Sequence, residues 1–301
     1  MPPASWPDEV IDGVTVHHRR VRGEGVDLHV AVAGEGIPVI LLHGFPEHWR
    51  SWRKQVRPLV TAGFSVWMPD LRGYNWSDAP KQRAAYRLRH LVADVVALVR
   101  ATGVARVHVC GHDWGGIIAW RFAASHPDLL NRLVICNAPH PRIYLEQLRT
   151  SRQLFRSWYV LFFQVPWLPE MALSARGFRV VRHMFTGAPT RPGAFSADDI
   201  DANVQALSRP GALTAALDYY RANFRGDDVH RARSGRVEAE TLVLWGERDP
   251  ALTVGLLDRI ERVAPNSHVY RYPDVGHWIQ NEAPDEVNGA LLAFLRAPPP
   301  H

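Results

Sequence analysis

A glycine-rich segment between two apolar runs limits the possible folds of this chain more than any other stretch; it reads Gly111-His112-Asp113-Trp114-Gly115-Gly116. A β-branched run at residues 107–110 precedes it, and a helix-like run at residues 114–124 follows it. The glycines let a strand turn sharply into a helix without a Cβ clash. Such a turn exposes its middle side chain, Asp113, above the end of the strand. The alternative is an ordinary turn in which Asp113 caps the helix.

The first half of the chain alternates strand-like runs with helical spacing. Apolar runs occur at residues 26–33, 39–42, 64–68, 107–110 and 133–136. Helical faces occur at residues 49–60 and 88–99, and Gly103 follows the second as a stop signal. This alternation predicts a parallel sheet with helices on its faces.

The pattern changes after residue 138, where aromatic-rich helical segments replace the strands. They cover residues 145–163, 196–207 and 212–224, with Ser196 and Asp199 spaced as a capping box. Strand-like runs return at residues 241–245 and 268–272, and a last helix covers residues 285–295. We therefore predict a core of residues 1–138 and 233–301, with residues 139–232 inserted as a helical cap.

Composition and charge exclude several classes of protein. The chain has 301 residues, 47% of them hydrophobic and 22% charged, which suits one globular core with an insertion. Its formal charge is +5, but the arginines are scattered, so we expect no nucleic-acid partner. No apolar run approaches the roughly 20 residues of a membrane-spanning helix, and the N-terminus does not resemble a signal peptide. Cys110 and Cys136 make no disulfide framework, so we expect a cytoplasmic protein without membrane insertion. The oligomeric state is left open.

The side chain at the exposed turn selects the chemistry. A carboxylate with a pKa near ~3.9 is ionised at neutral pH and needs no base to act as a nucleophile. Attack by Asp113 on an ester carbonyl would give a mixed anhydride, an uphill product. Attack on a saturated carbon gives an ordinary ester that water can cleave. We therefore expect an alkyl electrophile as substrate, either an epoxide or an organohalide, and no metal or organic cofactor.

A second turn, His43-Gly44-Phe45-Pro46, follows the apolar run at residues 39–42. In a hydrolase, the backbone N–H groups of Phe45 and Trp114 would form an oxyanion hole for cleavage of the ester. The alternative is a simple glycine-proline turn that ends a strand.

Two further candidates follow the last two strand-like runs. Asp249 lies in Gly246-Glu247-Arg248-Asp249, and His277 lies in Gly276-His277-Trp278. The order nucleophile, acid, histidine is that of α/β hydrolases. In that arrangement His277 takes a proton from water, and Asp249 fixes its tautomer and stabilises the imidazolium. For either residue alone, a place in a surface loop is the alternative.

With these residues assembled, the chain resembles the epoxide hydrolases of the α/β-hydrolase superfamily over nearly its whole length. The matching motifs are HGFPEHWRSW (43–52), PDLRGYNWSDAP (69–80), GHDWGG (111–116), NAPHP (137–141), GERD (246–249) and GHW (276–278). The resemblance implies an α/β-hydrolase fold with a mostly parallel eight-stranded sheet, helices on both faces and an inserted helical cap. It also implies that an apolar epoxide and water yield a vicinal diol through an aspartyl ester.

The same resemblance implies two cap tyrosines that hydrogen-bond the epoxide oxygen. Tyr159 fits the first, and Tyr220 fits the second, although its neighbour Tyr219 is an alternative. A phenol with a pKa near ~10 can donate to the alkoxide that an opening epoxide produces and a halide does not. The alternative for each tyrosine is packing within the cap.

Dehalogenation is the closest rival. Haloalkane dehalogenases typically carry asparagine at the position of Phe45, and haloacetate dehalogenases usually carry arginine at the position of Trp114. A binding protein without activity would not need Asp113, Asp249 and His277 together. We assign substrate binding to Phe45, Trp114, Phe162 and Trp278.

Overall fold

The computed structural model describes residues 6–223 and 235–297. A nine-stranded sheet forms its centre, in the order β1-β2-β3-β5-β4-β6-β7-β8-β9. The strands, numbered along the chain, are β1 (Glu9–Ile11), β2 (Val14–Arg22), β3 (Asp27–Ala33), β4 (Ile37–Leu42), β5 (Phe64–Pro69), β6 (Val107–His112), β7 (Leu130–Cys136), β8 (Thr241–Gly246) and β9 (Ser267–Tyr272).

The predicted, mostly parallel sheet is confirmed. Strands β4 to β9 run parallel to one another, whereas β1, β2 and β3 form an antiparallel edge. The sheet has one strand more than the eight predicted, because the three residues of β1 pair with β2. A strand this short has too few residues to show an alternating pattern in the sequence.

The helices follow the predicted order, with differences inside the insertion. They are α1 (Arg53–Thr61), α2 (Leu88–Thr102), α3 (Trp114–Ser125), α4 (Pro141–Gln147), α5 (Ser151–Arg156), α6 (Trp158–Phe162), α7 (Leu168–Gly187), α8 (Ala197–Ser208), α9 (Ala212–Asn223), α10 (Ile279–Glu282) and α11 (Pro284–Arg296). Among the described residues, no helix has the length and apolarity that crossing a membrane requires.

The structure corrects one helix prediction and adds a helix that was not predicted. The single helix predicted for residues 145–163 is three short helices, α4 to α6. The chain breaks before α5, where the Thr150 side chain accepts a hydrogen bond from the Gln153 backbone N–H. Helix α7 was not predicted; its residues Ala175 to Phe178 leave helical geometry, which interrupts the periodic pattern. The capping box of Ser196 and Asp199 is confirmed at the start of α8.

Apolar side chains alternate between the two faces of the sheet. In β4, Ile40 and Leu42 join a core with α2 and α3, whereas Val39 and Leu41 join a second core with α1 and α11. The helices of the insertion add their apolar side chains to the first of these cores. Helices therefore cover both faces, and the insertion lies on the side of α2 and α3.

Between β7 and β8 the described residues form helices and no strand. This pattern supports a division into a core of residues 1–138 and 233–301 and a cap of residues 139–232, which stays a proposal. The second boundary lies outside the described residues, as do the last four residues of the chain.

The turn after β6 lies so close to its neighbours that side chains are excluded. A Cβ added to Gly115 would lie 2.2 Å from the Leu42 carbonyl oxygen, and one added to Gly116 would lie 2.2 Å from the Cβ of Ala138. The same edge of the sheet holds the carboxyl ends of β4, β6, β7, β8 and β9, where α/β proteins place their ligands.

We predict that Gly115→Ala lowers the free energy of unfolding by roughly 3 kcal/mol, because the added methyl group overlaps backbone that cannot yield cheaply. Gly289→Ala is the matched control: this glycine lies inside α11, and its added Cβ would meet nothing within 4 Å. It should gain up to ~1 kcal/mol from helix propensity. Urea unfolding of both variants measures the difference, and equal stability would contradict the close packing at the turn.

Candidate active site

Asp113 occupies a strained turn between β6 and α3. Its backbone has φ 50° and ψ −120°, a conformation that L-residues rarely adopt outside functional turns. Among the described residues, its side chain accepts no hydrogen bond from the first backbone N–H groups of α3, so it does not cap this helix. It is 15% exposed, so the carboxylate is accessible without being freely solvated.

The loop after β4 places a donor on this carboxylate. The Phe45 backbone N–H donates to Asp113 Oδ1 over 2.9 Å. His43 holds the loop, because its Nδ1 lies 3.0 Å from the Gly44 carbonyl oxygen and its Nε2 accepts from the Leu71 N–H. Burial lowers the pKa of His43, which fits this neutral tautomer. A Cβ on Gly44 would lie 2.4 Å from the Cβ of Asp113, so only glycine allows this approach.

The structure brings the predicted acid and histidine to the same place. His277 Nδ1 lies 2.6 Å from Asp249 Oδ2, and His277 Nε2 lies 3.8 Å from Asp113 Oδ2. Asp249 is fully buried, and its other oxygen accepts from the backbone N–H groups of Ala251 and Leu252. The imidazole is therefore fixed between two carboxylates, with Nε2 facing Asp113.

The charges around His277 raise its pKa. Burial alone would lower it, but the charge and hydrogen bond of Asp249, with the charges of Asp113 and Glu47, raise the pKa to about 9. Burial by itself would raise the pKa of Asp249. The charge of His277 and the hydrogen bonds from His277, Asn137 and Leu252 outweigh this effect, so the pKa of Asp249 lies below its usual value. In the resting site His277 is therefore protonated at neutral pH.

Two polar residues that the sequence analysis did not single out complete the site. Asn137, which follows β7, donates from Nδ2 to Asp249 Oδ2 over 2.9 Å. Glu47 is buried, and its Oε2 lies 3.2 Å from Nδ1 of His112. His112 Nε2 in turn lies 2.9 Å from the His277 carbonyl oxygen. The positions of these residues at strand ends were the available signal, since those ends converge on the site.

Helix α5 of the cap is bonded to the loop that carries the acid. The buried amide of Gln153 donates to the Ala251 carbonyl oxygen and accepts from the backbone N–H and the hydroxyl of Thr253. Arg156 donates to the carbonyl oxygen of Asp249 itself over 2.7 Å. The position of the acid loop therefore depends on the cap.

The two predicted tyrosines, Tyr159 and Tyr220, lie in the same cavity as Asp113. Their rings have centroids 6.0 Å apart. Burial, with the nearby charge of Asp113, raises the pKa of both phenols well above the usual value. Both hydroxyls are therefore protonated donors at any physiological pH.

Tyr219 is engaged elsewhere. It is fully buried, and its hydroxyl donates to the Arg72 carbonyl oxygen over 2.7 Å. Its ring packs against Tyr74 and Tyr86. Of the two neighbouring tyrosines, Tyr220 is thus the one whose side chain faces the cavity.

A cavity of about 250 Å³ lies between Asp113 and the cap helices. Apart from the polar groups of Asp113, Tyr144, Ser157, Tyr159, Tyr220 and Asn223, its lining is apolar. Trp114, assigned to substrate binding, lines it. The other three residues assigned to substrate binding do not line this cavity: Phe45, Phe162 and Trp278. Each packs against neighbouring aromatic rings instead. Phe45 contacts Phe163 and Tyr220, Phe162 contacts Trp158 and Phe163, and Trp278 contacts Phe185 and Phe195.

The raised pKa of His277 predicts a specific pH dependence of stability. A histidine with a raised pKa in the folded state stabilises the fold fully below its ordinary pKa of 6.5, and this contribution is lost as the pH rises to about 9. The shift corresponds to about 3 kcal/mol. Urea unfolding at about pH 6 and about pH 9.5 should show wild type losing about 3 kcal/mol more than His277→Gln. Parallel losses in the two proteins would contradict the ion-pair geometry.

Comparisons with known proteins agree with this geometry. The alpha/beta hydrolase fold family model matches residues 37–284. Epoxide hydrolase 4 of Mus musculus is 37% identical over 98% of this chain and 83% of its own length. Epoxide hydrolase A of Mycobacterium tuberculosis is 32% identical over 92% of this chain and 96% of its own length. The crystal structure of the Bacillus megaterium epoxide hydrolase with an inhibitor matches with a TM-score of 0.85 at 30% identity, over 93% of this chain and 100% of that one. This chain therefore belongs to the α/β-hydrolase family and, within it, to the epoxide hydrolases.

Proposed function

We propose that this epoxide hydrolase forms its vicinal diol in two steps, with Asp113 as the nucleophile and His277 and Asp249 as the base and its orienting acid. One observation carries the proposal: an accessible carboxylate lies 3.8 Å from His277 Nε2, in a cavity that two protonated phenols also line. The phenols favour an epoxide over an organohalide, because only ring opening produces an alkoxide that needs a donor.

In the first step, Asp113 Oδ2 attacks one carbon of the epoxide and the bond from that carbon to oxygen breaks. Tyr159 and Tyr220 hold the oxygen, and one phenol gives it a proton as the alkoxide forms. The tyrosinate then regains its proton from the imidazolium of His277 through solvent. The products of this step are a neutral ester on Asp113 and a neutral His277.

Ester formation itself favours the second proton transfer. The charge of Asp113 is one of the causes of the raised pKa of His277. Alkylation removes that charge, so the pKa of His277 falls and the imidazole becomes the better base. The nucleophile thus controls when its neighbour can activate water.

In the second step, neutral His277 takes a proton from water, and the hydroxide adds to the ester carbonyl carbon. The carbonyl oxygen corresponds to Oδ1, which already accepts the Phe45 N–H, and the Trp114 N–H is the second proposed donor. The bond to the diol oxygen breaks, and the proton of the new acid passes to that oxygen. Asp113 is again a carboxylate and His277 an imidazolium.

The apolar lining of the cavity supports an apolar epoxide as substrate. A cytoplasmic location is also part of the proposal. It is supported by the two free, buried thiols of Cys110 and Cys136, which suit a reducing compartment.

Removing the base should trap the intermediate. We predict that His277→Gln still opens the epoxide but accumulates the ester, seen in intact-protein mass spectra as an increase equal to the mass of styrene oxide. Asp113→Ala should show neither adduct nor diol, because no carboxylate attacks. An Asp113→Ala variant with unchanged diol formation would overturn the mechanism.

The adjacent tyrosines provide a matched pair. Tyr220→Phe should slow ester formation at least tenfold in single-turnover experiments, because a donor to the alkoxide is lost. Tyr219→Phe should leave that rate within about twofold and instead cost about 1 kcal/mol of stability, since it removes the bond to Arg72. If ester formation were slow in Tyr219→Phe and normal in Tyr220→Phe, Tyr219 and not Tyr220 would be the donor to the alkoxide.

A further inference from the structure

The cap carries an exposed apolar surface that the reaction does not explain. It consists of Leu154, Phe155, Trp158, Leu161, Trp167 and Met171, here called the cap patch. Among the described residues, these six are the majority of the nine large apolar side chains that are at least half exposed. Phe155 and Trp167 are 77% and 79% exposed. Such a concentration within eighteen residues is typical of a binding surface.

The patch is continuous along the chain. Leu154, Trp158 and Leu161 follow helical spacing through α5 and α6 and so share one side of these helices. Trp167 precedes α7, and its carbonyl oxygen accepts the Met171 N–H. Exposed aromatic and aliphatic side chains therefore occur on α5 and α6 and at the start of α7.

The patch reaches the active-site cavity. Leu154 and Leu161 line the cavity, yet they are 50% and 54% exposed. The same side chains therefore belong to the wall around the nucleophile and to the outer surface. An apolar molecule that leaves the patch would meet apolar contacts from the surface to Asp113.

The segment of chain that carries this apolar surface is also basic. Residues 141–183 hold seven arginines against two glutamates, with no lysine or aspartate. Both glutamates are already paired: Glu146 with Arg142 and Arg262, and Glu170 with Arg221. Within residues 141–183, as far as the structure describes them, four exposed arginines have no carboxylate partner: Arg149, Arg152, Arg176 and Arg179.

Exposed aromatic side chains together with unpaired arginines indicate which kind of partner this surface binds. Tryptophan and phenylalanine beside arginine suit the interface of an anionic bilayer, where rings enter the headgroup region and cations meet phosphates. A second copy of the chain fits less well. A twofold contact through the patch would bring two copies of this basic segment together without adding an unpaired carboxylate to balance them, because Glu146 and Glu170 are already paired.

We propose that the cap patch docks this protein on the surface of an anionic phospholipid bilayer, with the patch in the headgroup region and the cap lying on the membrane. An epoxide dissolved in the lipid then reaches the cavity along Leu154 and Leu161 without crossing water. This second statement rests on the proposed function, whereas the docking itself does not.

Vesicle co-sedimentation of the full chain without substrate tests the docking. Wild type should bind vesicles of phosphatidylcholine with about 30% phosphatidylglycerol at least tenfold better than pure phosphatidylcholine vesicles. Binding should fall in about 0.5 M NaCl, because salt screens the arginines. Arg149→Gln with Arg152→Gln should reduce binding to the anionic vesicles severalfold.

The apolar part needs its own variant and control. Phe155→Ser with Trp167→Asn should weaken vesicle binding at least tenfold; asparagine suits the positive φ of 59° at residue 167. Neither side chain lines the cavity, so kcat/KM for water-soluble styrene oxide should stay unchanged. Tyr270→Ser is the matched control, since Tyr270 is 56% exposed on β9 and should leave binding unaffected.

Two outcomes would overturn the proposal. One is that the wild-type protein does not bind the anionic vesicles, or that the variant with Phe155→Ser and Trp167→Asn binds them as well as wild type does. The other is a wild-type dimer, seen by light scattering, that the same changes convert to a monomer, which would make the patch a protein interface. Because no substrate is present, an inactive Asp113→Ala protein should bind vesicles like wild type, so failure of the catalytic proposal is seen separately.

Discussion

The structure depends on how closely the turn after β6 approaches the loop after β4. Glycines make this approach possible: a Cβ on Gly115 would overlap the backbone of Leu42, one on Gly44 the side chain of Asp113, and one on Gly116 the Cβ of Ala138. The close approach lets the Phe45 N–H reach Asp113 Oδ1 while Oδ2 faces His277. One packing constraint thus assigns different roles to the two oxygens of a carboxylate.

The electrostatics of the site follow from that arrangement. Asp113, Asp249 and Glu47 all act on one imidazole, and together they overcome the cost of burying its charge. Within the described residues each carboxylate is held differently: Asp249 by Asn137 and backbone amides, Glu47 by Ser51 and Asn281, and Asp113 by one backbone amide. The carboxylate that we propose as the nucleophile is thus the one with the fewest hydrogen bonds among the described residues.

Local patterns were enough to predict the strands and the turns that carry Asp113, Asp249 and His277, because strand ends and glycine turns depend on a few neighbouring residues. They could not choose between Tyr219 and Tyr220, which differ only in what surrounds them: a buried carbonyl oxygen of Arg72 or the cavity. The same holds for Glu47, whose partner His112 is far away in sequence. The break of one predicted helix into α4 to α6 likewise depends on hydrogen bonds of Thr150 and Ser157.

The bonds between α5 and the loop of Asp249 limit how the enzyme can admit its substrate. Gln153 is fully buried, so moving α5 outward as a rigid body would leave its amide and two groups of Thr253 without partners. It would also break the hydrogen bond that Arg156 donates to the backbone carbonyl oxygen of Asp249. Movement of α5 away from the core would therefore disturb the loop that carries Asp249. A substrate path that leaves α5 in place, such as one past the half-exposed Leu154 and Leu161 of the cavity wall, avoids this cost.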